Sequence, residues 1–269
     1  LLKQASASIE ENAWSKFLDG IIVPDLLEAS VNLIAGTQSQ LLSKLSAGTP
    51  SSSMYRSDLV VTTGNFIRAR PKGIINGIDH HHSGLVRKIN RTALTQQLDN
   101  PAIVLISPLG YSLTGETFIL DPRELAAEVA AVLKADKLIF FVANDGLFDP
   151  EQQLISEVMS SELTGELLNT EQAILQAAKK AIEQGVDRCH LIGFKRDGAL
   201  LQELFTREGS GTQIVQHSSI RVRQATASDV PGIIALIEPL EQDGYLVKRS
   251  RELLESEVHH FTVIEESGI

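Results

Sequence analysis

Short apolar, β-branched runs alternate with longer stretches of helical periodicity along most of the chain. Strands are predicted over residues 58–62, 102–106, 137–142 and 188–194, each bounded by Gly, Pro, Asp or Asn. Between them, residues 123–135 (RELAAEVAAVLKA) and 170–184 (TEQAILQAAKKAIEQ) are rich in good helix formers. Asp121-Pro122 supplies a start signal for the first helix, Thr170 a cap for the second, and Gly185 stands where a C-cap belongs. Alternation of this kind predicts an α/β domain with a mainly parallel sheet covered by helices in three layers.

The pattern changes at residues 209–219 (GSGTQIVQHSS), small and polar around one short apolar run, and a domain boundary is expected there. Beyond it, 220–223 reads as a strand, 229–238 and 250–259 as helices, and 261–265 as a second strand. That is the opening β-α-α-β of another domain, so the division expected is 1–217 and 218–269. The last strand runs into a turn signal with no return partner to follow, and Leu1 is not an initiator Met. The sequence therefore reads as part of a longer chain.

Charge and composition narrow the classes. With 24 Lys+Arg against 34 Asp+Glu the 269 residues carry a net charge of −10, which argues against a general binder of nucleic acid or of anionic membrane. Apolar stretches stay far below the roughly 18 residues of a membrane span. The single cysteine, Cys189, excludes an internal disulfide and any multi-cysteine zinc site. A soluble, cytoplasmic protein is expected, with no nucleic-acid or membrane partner.

Candidate chemistry concentrates in residues 201–214, LQELFTREGSGTQI. A helix carrying Glu203 and Glu208 runs into Gly209-Ser210-Gly211, whose backbone can approach a ligand closely. Carboxylates beside exposed carbonyls suit a guanidinium, through charge-assisted bonds. On spacing alone the plainer reading is a helix C-cap and a linker. Asp79-His80-His81-His82 has poor geometry for a metal, since adjacent side chains cannot converge on one ion, and no metal is expected. His259-His260 suits a helix end. Residues 110–115 lack the Lys-Ser/Thr of a P-loop, and no Ser/His/Asp triad is recognisable.

Several segments together resemble N-acetylglutamate synthases. ELFTREGSGT, preceded by residues 186–192 (VDRCHLI) and 197–201 (DGALL), resembles the end of that family's amino-acid-kinase-like domain. Thr63-Gly64-Asn65-Phe66, then Gly77-Ile78-Asp79 and Ser83-Gly84, are similar to its SGNF…GVD…SG segment. Ser107-Pro108-Leu109-Gly110 through Thr114-Gly115-Glu116 is similar to its loop after the central strand. Ile220-Arg221, then residues 237–241 (IEPLE) and 246–252 (LVKRSRE), resemble the start of its GNAT acetyltransferase domain. The resemblance spans roughly residues 20–269.

What the resemblance implies is acetyl transfer from acetyl-CoA to the amine of L-glutamate, the first step of arginine biosynthesis, in a homo-oligomer regulated by L-arginine. It places Glu203, Glu208, Gly209 and Gly211 in an arginine site and gives Arg249 a carboxylate of glutamate to grip, a role suited to a forked guanidinium. It assigns no catalytic group among these residues. The R-x-x-G-x-G/A loop that such enzymes use for the CoA pyrophosphate does not occur, so these 269 residues are expected to be inactive by themselves. An alternative is an active acetylglutamate kinase, against which the trailing acetyltransferase start and one departure speak: where that enzyme has N-x-N-A-D, this chain has Ile119-Leu120-Asp121-Pro122-Arg123. Separately, Ile22 stands in IIVPD where the family has the Arg of R-V-T-D, so no ligand contact is expected from that side chain. Phosphoryl transfer needs positioned charge, so a kinase-dead domain is expected. A non-catalytic arginine-binding module is the remaining alternative.

Overall fold

The computed structural model describes residues 20–46, 60–100, 102–163, 172–206, 209–217 and 220–266. The described part opens on α1 (Pro24–Ser46), started by Pro24 and Asp25, which suit the first turn of a helix. The sequence reading did not anticipate α1, of which only Leu26 and Ser30 are buried. Ile21, Ile22 and Val23 pack with Leu26 in a small core, so Ile22 is a packing residue; its N–H donates to Ser83 Oγ at 2.9 Å.

β1 (Val60–Thr62) is followed by a run of short strands: β2 (Ile67–Pro71), β3 (Ile74–Ile75), β4 (Ile78–Asp79) and β5 (Gly84–Ile89). The β3–β4 hairpin turns on Asn76-Gly77, with φ of 51° and 78°, the doubly left-handed turn that Asn-Gly favours. After α2 (Arg91–Leu98) come β6 (Ala102–Val104), parallel to β1, then β7 (Leu109–Tyr111) and β8 (Thr117–Ile119). The second sheet runs β5-β2-β7-β8. Ile67, Ala69, Ile89, Leu94, Phe118 and Leu125 are buried beneath it.

α3 (Pro122–Leu133) begins as the sequence predicted: Asp121 accepts hydrogen bonds from the N–H groups of Arg123 and Glu124, with Pro122 in the first turn. β9 (Lys137–Val142), β10 (Glu157–Met159), α4 (Gln172–Glu183), β11 (Arg188–Gly193), α5 (Ala199–Phe205) and β12 (Thr212–Val215) complete the larger unit. α4 buries Ile174, Leu175, Ala178, Ala181 and Ile182, an i, i+3/i+4 stripe. Gly185 ends it with φ +96° and N–H bonds back to the last turn, while the expected Thr170 cap lies outside the described residues. Cys189 sits at the centre of this core, and burial pushes its thiol up to about 12, so it acts as a small hydrophobe.

Two expectations are corrected. The sheets are mixed rather than mainly parallel. In the β10-β12-β11-β9 sheet, β12 runs antiparallel to β11 while the other two pairings are parallel, and β2–β5 and β7–β8 are antiparallel. Residues 212–215, expected in a boundary segment, form a core strand in which Thr212 and Ile214 are fully buried. β13 (Ile220–Gln224), α6 (Val230–Gln242), α7 (Arg251–Ser256) and β14 (Thr262–Glu266) follow the predicted β-α-α-β order, with β14 beside the strand that opens the unit. β14 pairs antiparallel with β13, Ile220 opposite Glu266. Among the described residues no helix is long and apolar enough to cross a membrane.

Candidate functional site

In the β10-β12-β11-β9 sheet the inner strand β11 carries one polar side chain in a run of buried residues, His190, and α5 packs beside it. A buried imidazole needs partners, and Glu203 on α5 supplies one: His190 Nδ1 and Glu203 Oε1 are 2.6 Å apart, both side chains nearly inaccessible. The other carboxylate oxygen faces the loop after α5. Glu203 Oε2 accepts from the N–H of Ser210 at 2.6 Å and of Gly211 at 3.0 Å. Ser210 Oγ donates to Ala199 O at 2.8 Å, tying the loop to the start of α5. Thr206 Oγ1 accepts from the N–H of Gly209.

Both glycines follow from this geometry. Gly209 holds φ +65°, and a Cβ there would lie 2.8 Å from Glu203 Oε2. At Gly211 a Cβ would lie 2.1 Å from the carbonyl oxygen of Leu191, against backbone that cannot swing aside. Next in line, Thr212 Oγ1 donates to Ile155 O at 2.6 Å and accepts from the N–H of Leu147 at 2.8 Å. The loop is thus fixed at both ends to the β9–β12 sheet.

Electrostatics agree with an ionised Glu203. Burial acts to raise its pKa, but the His190 contact and the N–H groups of Ser210 and Gly211 outweigh it and hold the carboxyl below its ordinary range. An ionised carboxylate only accepts, so the proton of the His190 pair sits on Nδ1. Nε2 of the same ring is buried without a partner. Among the described residues the carbonyls of Gly209 and Ser210 accept no backbone hydrogen bond either. Two carbonyls of the loop are thus available to N–H donors, next to a carboxylate whose own oxygens are already occupied.

Of the residues expected in this site, Glu203, Gly209 and Gly211 come together, with the carboxylate organising the loop from inside. Glu208 lies outside the described residues. Arg249 is elsewhere, exposed in the segment between α6 and α7, its N–H donating to Glu241 Oε1 at 3.0 Å. His190 was missed as a site residue. The available signal was a histidine in an otherwise apolar strand, RCHLIG, which must find a polar partner when buried.

Two other places bear on chemistry. A cavity of about 610 Å³ opens where β9 and β11 end, lined by Asn144, Asp145, Lys195 and Arg196 among others. At the start of α3, Arg123 Nε and Nη2 hold Asp121 at 3.0 and 2.7 Å. Burial opposes ionisation of Asp121, but these Arg123 bonds and the helix N–H groups lower its pKa overall. Its charge is committed to the cap. In the histidine run, His81 N–H donates to Asp79 Oδ1, while the Nδ1 atoms of His80 and His82 are buried without partners. Among the described residues no three His, Cys, Asp or Glu are grouped so as to hold a metal ion.

Comparison with known proteins adds a family. The model of the amino acid kinase family matches residues 9–193. An amino-acid acetyltransferase of Ectopseudomonas mendocina (strain ymp) is 43% identical over 247 residues, 90% of this chain and 57% of that protein. One from Aeromonas salmonicida (strain A449) is 45% identical over 243 residues, 87% of this chain and 55% of the relative. The chain thus spans about half the length of the curated relatives it matches. Among solved structures, N-acetylglutamate synthase from Neisseria gonorrhoeae complexed with coenzyme A and L-arginine superposes with a TM-score of 0.71 at 36% identity. That match covers 87% of this chain and 55% of the synthase.

Proposed function

The chain belongs to the amino acid kinase family, and from that premise we propose that it is the arginine-sensing part of an amino-acid N-acetyltransferase. In the reaction proposed, the neutral α-amine of L-glutamate attacks the thioester carbonyl of acetyl-CoA. The C–S bond breaks, the amine loses a proton, and N-acetyl-L-glutamate and CoA leave, as the first step of arginine biosynthesis. The observation that carries the effector reading is the acceptor-lined loop around buried Glu203. L-Arginine presents a guanidinium with five N–H donors and no acceptor, matching the carbonyls of Gly209 and Ser210. Glu203 supplies the field and holds the loop; Glu208 and the Gly209–Gly211 backbone complete the effector site. Arg249, on the β13–β14 unit read as the start of a GNAT domain, grips a carboxylate of glutamate. Residues 1–217 and 218–269 are the two parts, in a cytoplasmic homo-oligomer.

An active kinase is disfavoured by Asp121, whose carboxylate is held by Arg123 and the α3 N-terminus instead of standing free for a phosphoryl site. Calorimetric titration tests the effector reading. L-Arginine is expected to bind saturably, and L-citrulline, which replaces the cation by a neutral urea, about tenfold or more weaker, the loss typical of a charged bond. Equal binding of both, or none of arginine, overturns it. Acetyl transfer to glutamate by the complete gene product tests the enzyme; arginine binding without transfer favours a non-catalytic module.

A further inference from the structure

The tip of the β3–β4 hairpin holds the one Asn-Gly pair of the sequence, Asn76-Gly77. Every residue from Ile74 to Asp79 is exposed, Ile74 by 72% and Ile78 by 53%. Two residue pairs hold the strands together, Ile74 with Asp79 and Ile75 with Ile78, and a hairpin so short opens readily. Among the described residues neither the Gly77 N–H nor the Asn76 side chain is hydrogen-bonded. No atom lies within 4 Å of the place a Gly77 Cβ would take, so the Gly77 nitrogen is unshielded. The other asparagines differ. Asn90 commits its side-chain oxygen to the N–H of Ala93, and Asn100 its amide to Gln96 O. Asn100 also precedes Pro101, whose nitrogen carries no hydrogen. Asn32 lies within α1, and Asn65 and Asn144 precede Phe66 and Asp145, whose side chains crowd the following nitrogen.

We propose that Asn76 is a site of self-modification, at which the Gly77 nitrogen displaces the side-chain amide and turns the hairpin tip into aspartate and isoaspartate. The Gly77 nitrogen gives up its proton to base and bonds to Asn76 Cγ. The Cγ–NH2 bond breaks, and ammonia leaves with that proton. Water then opens the cyclic imide at either carbonyl, which gives the two products. Glycine permits ring closure because it has no Cβ and an unrestricted φ. The ring needs a ψ at Asn76 other than that of the doubly left-handed turn, so it closes only when the hairpin opens. Either product adds a carboxylate to residues 66–91, which hold six Lys and Arg against one carboxylate, Asp79. Isoaspartate also puts an extra carbon into the backbone, so Ile75 and Ile78 can no longer pair. The bond from the His80 N–H to Gly73 O at the base of the hairpin is lost with them. The change runs one way and needs only water, so the hairpin records the age of the molecule. It shares no residue with the Glu203 loop and goes beyond the effector reading.

Peptide mass spectrometry of the 269-residue chain, incubated at neutral and at mildly alkaline pH, tests the proposal. Trypsin cuts after Lys72 and Arg87, and the peptide 73–87 holds Asn76 as its one asparagine. With time it is expected to yield two products of equal mass, OH in place of NH2, that separate on chromatography. Both should form faster at the higher pH, while the peptide 57–68 with Asn65 stays unchanged. Asn76→Gly keeps a Gly-Gly turn and should give neither product. Ile75→Gly weakens the hairpin and should convert severalfold faster. Amide hydrogen exchange over residues 74–80 should quicken in the aged chain but not in Asn76→Asp, which gains the charge and keeps the backbone. No conversion at residue 76, a single product, a rate indifferent to pH or to Ile75→Gly, equal conversion of Asn65, or unchanged exchange in the aged chain overturns the proposal. Arginine titration of aged and fresh chain should agree, which separates this outcome from failure of the effector reading.

Discussion

Glu203 and Arg249 both lie in segments that resemble one enzyme family, and they sit under opposite physical conditions. Glu203 is 7% exposed with three close donors on its two oxygens. Arg249 is exposed, anchored through its backbone N–H alone, and its guanidinium stands in solvent. A resemblance transfers a position and leaves the physical role open. At Glu203 the position is structural before it is functional: the side chain builds the loop that a ligand would meet. Arg249 has no side-chain partner within the fold, so its side chain is available to solvent or to a ligand.

The largest break in that contrast comes from Glu203→Ala. It leaves the N–H groups of Ser210 and Gly211 and the Nδ1 of His190 buried without an acceptor, at a cost of about 3–5 kcal/mol in chemical denaturation. Glu203→Gln keeps one carbonyl acceptor and should cost less than half as much. If Glu203→Ala unfolds at the wild-type denaturant midpoint, Glu203 is not the organiser of the loop. Gly211→Ala follows. Its Cβ would fall 2.1 Å from Leu191 O, so β11 and the loop must part, at about 2–3 kcal/mol. Alanine tolerated there with little loss would mean that the loop sits further from β11.

The pH dependence sharpens the same point. The folded-state pKa of Glu203 lies below its ordinary value, so its contribution is complete above the unfolded-state pKa, near 4.3. It is lost as pH falls through the lowered folded value. Asp121 has the same sign. Stability measured from pH 6 downward should therefore begin to drop in the carboxylate range, about pH 5 and below, with a shallower slope in Glu203→Gln. An identical slope in the variant would place the acid sensitivity elsewhere.

Much of the larger unit was legible in the sequence because its strands and helices are long enough to show a period. KLIFFV is apolar after its first residue, RCHLIG is apolar apart from Arg188 and His190, and 172–183 carries a clean helical stripe. β12 was illegible for a physical reason. It is four residues long, its first residue is a threonine buried through two hydrogen bonds to Ile155 and Leu147, and the loop before it is glycine-rich for close approach. Small, polar and short are also the marks of a linker. The Glu203 cluster was half legible. Glycines and a carboxylate signalled a loop of interest, but the partner that fixes Glu203 lies thirteen residues upstream on another element, which only the fold brings near.

Arg249→Ala is the smallest perturbation of the fold and the sharpest test of the comparison. Its side chain buries no partner, so stability should stay within about 0.5 kcal/mol of wild type. The adjoining α7 cap, Ser250 Oγ accepting from the N–H of Leu253 at 3.3 Å, does not depend on it. In the complete gene product the same change should raise the KM for glutamate about tenfold or more, the loss of a charge-assisted carboxylate contact, and leave the KM for acetyl-CoA alone. Arg249→Lys should recover only part, because a point charge cannot reproduce the bidentate fork. An unchanged glutamate KM would remove Arg249 from the substrate site, and a large stability loss would show that it serves the fold, as Glu203 does.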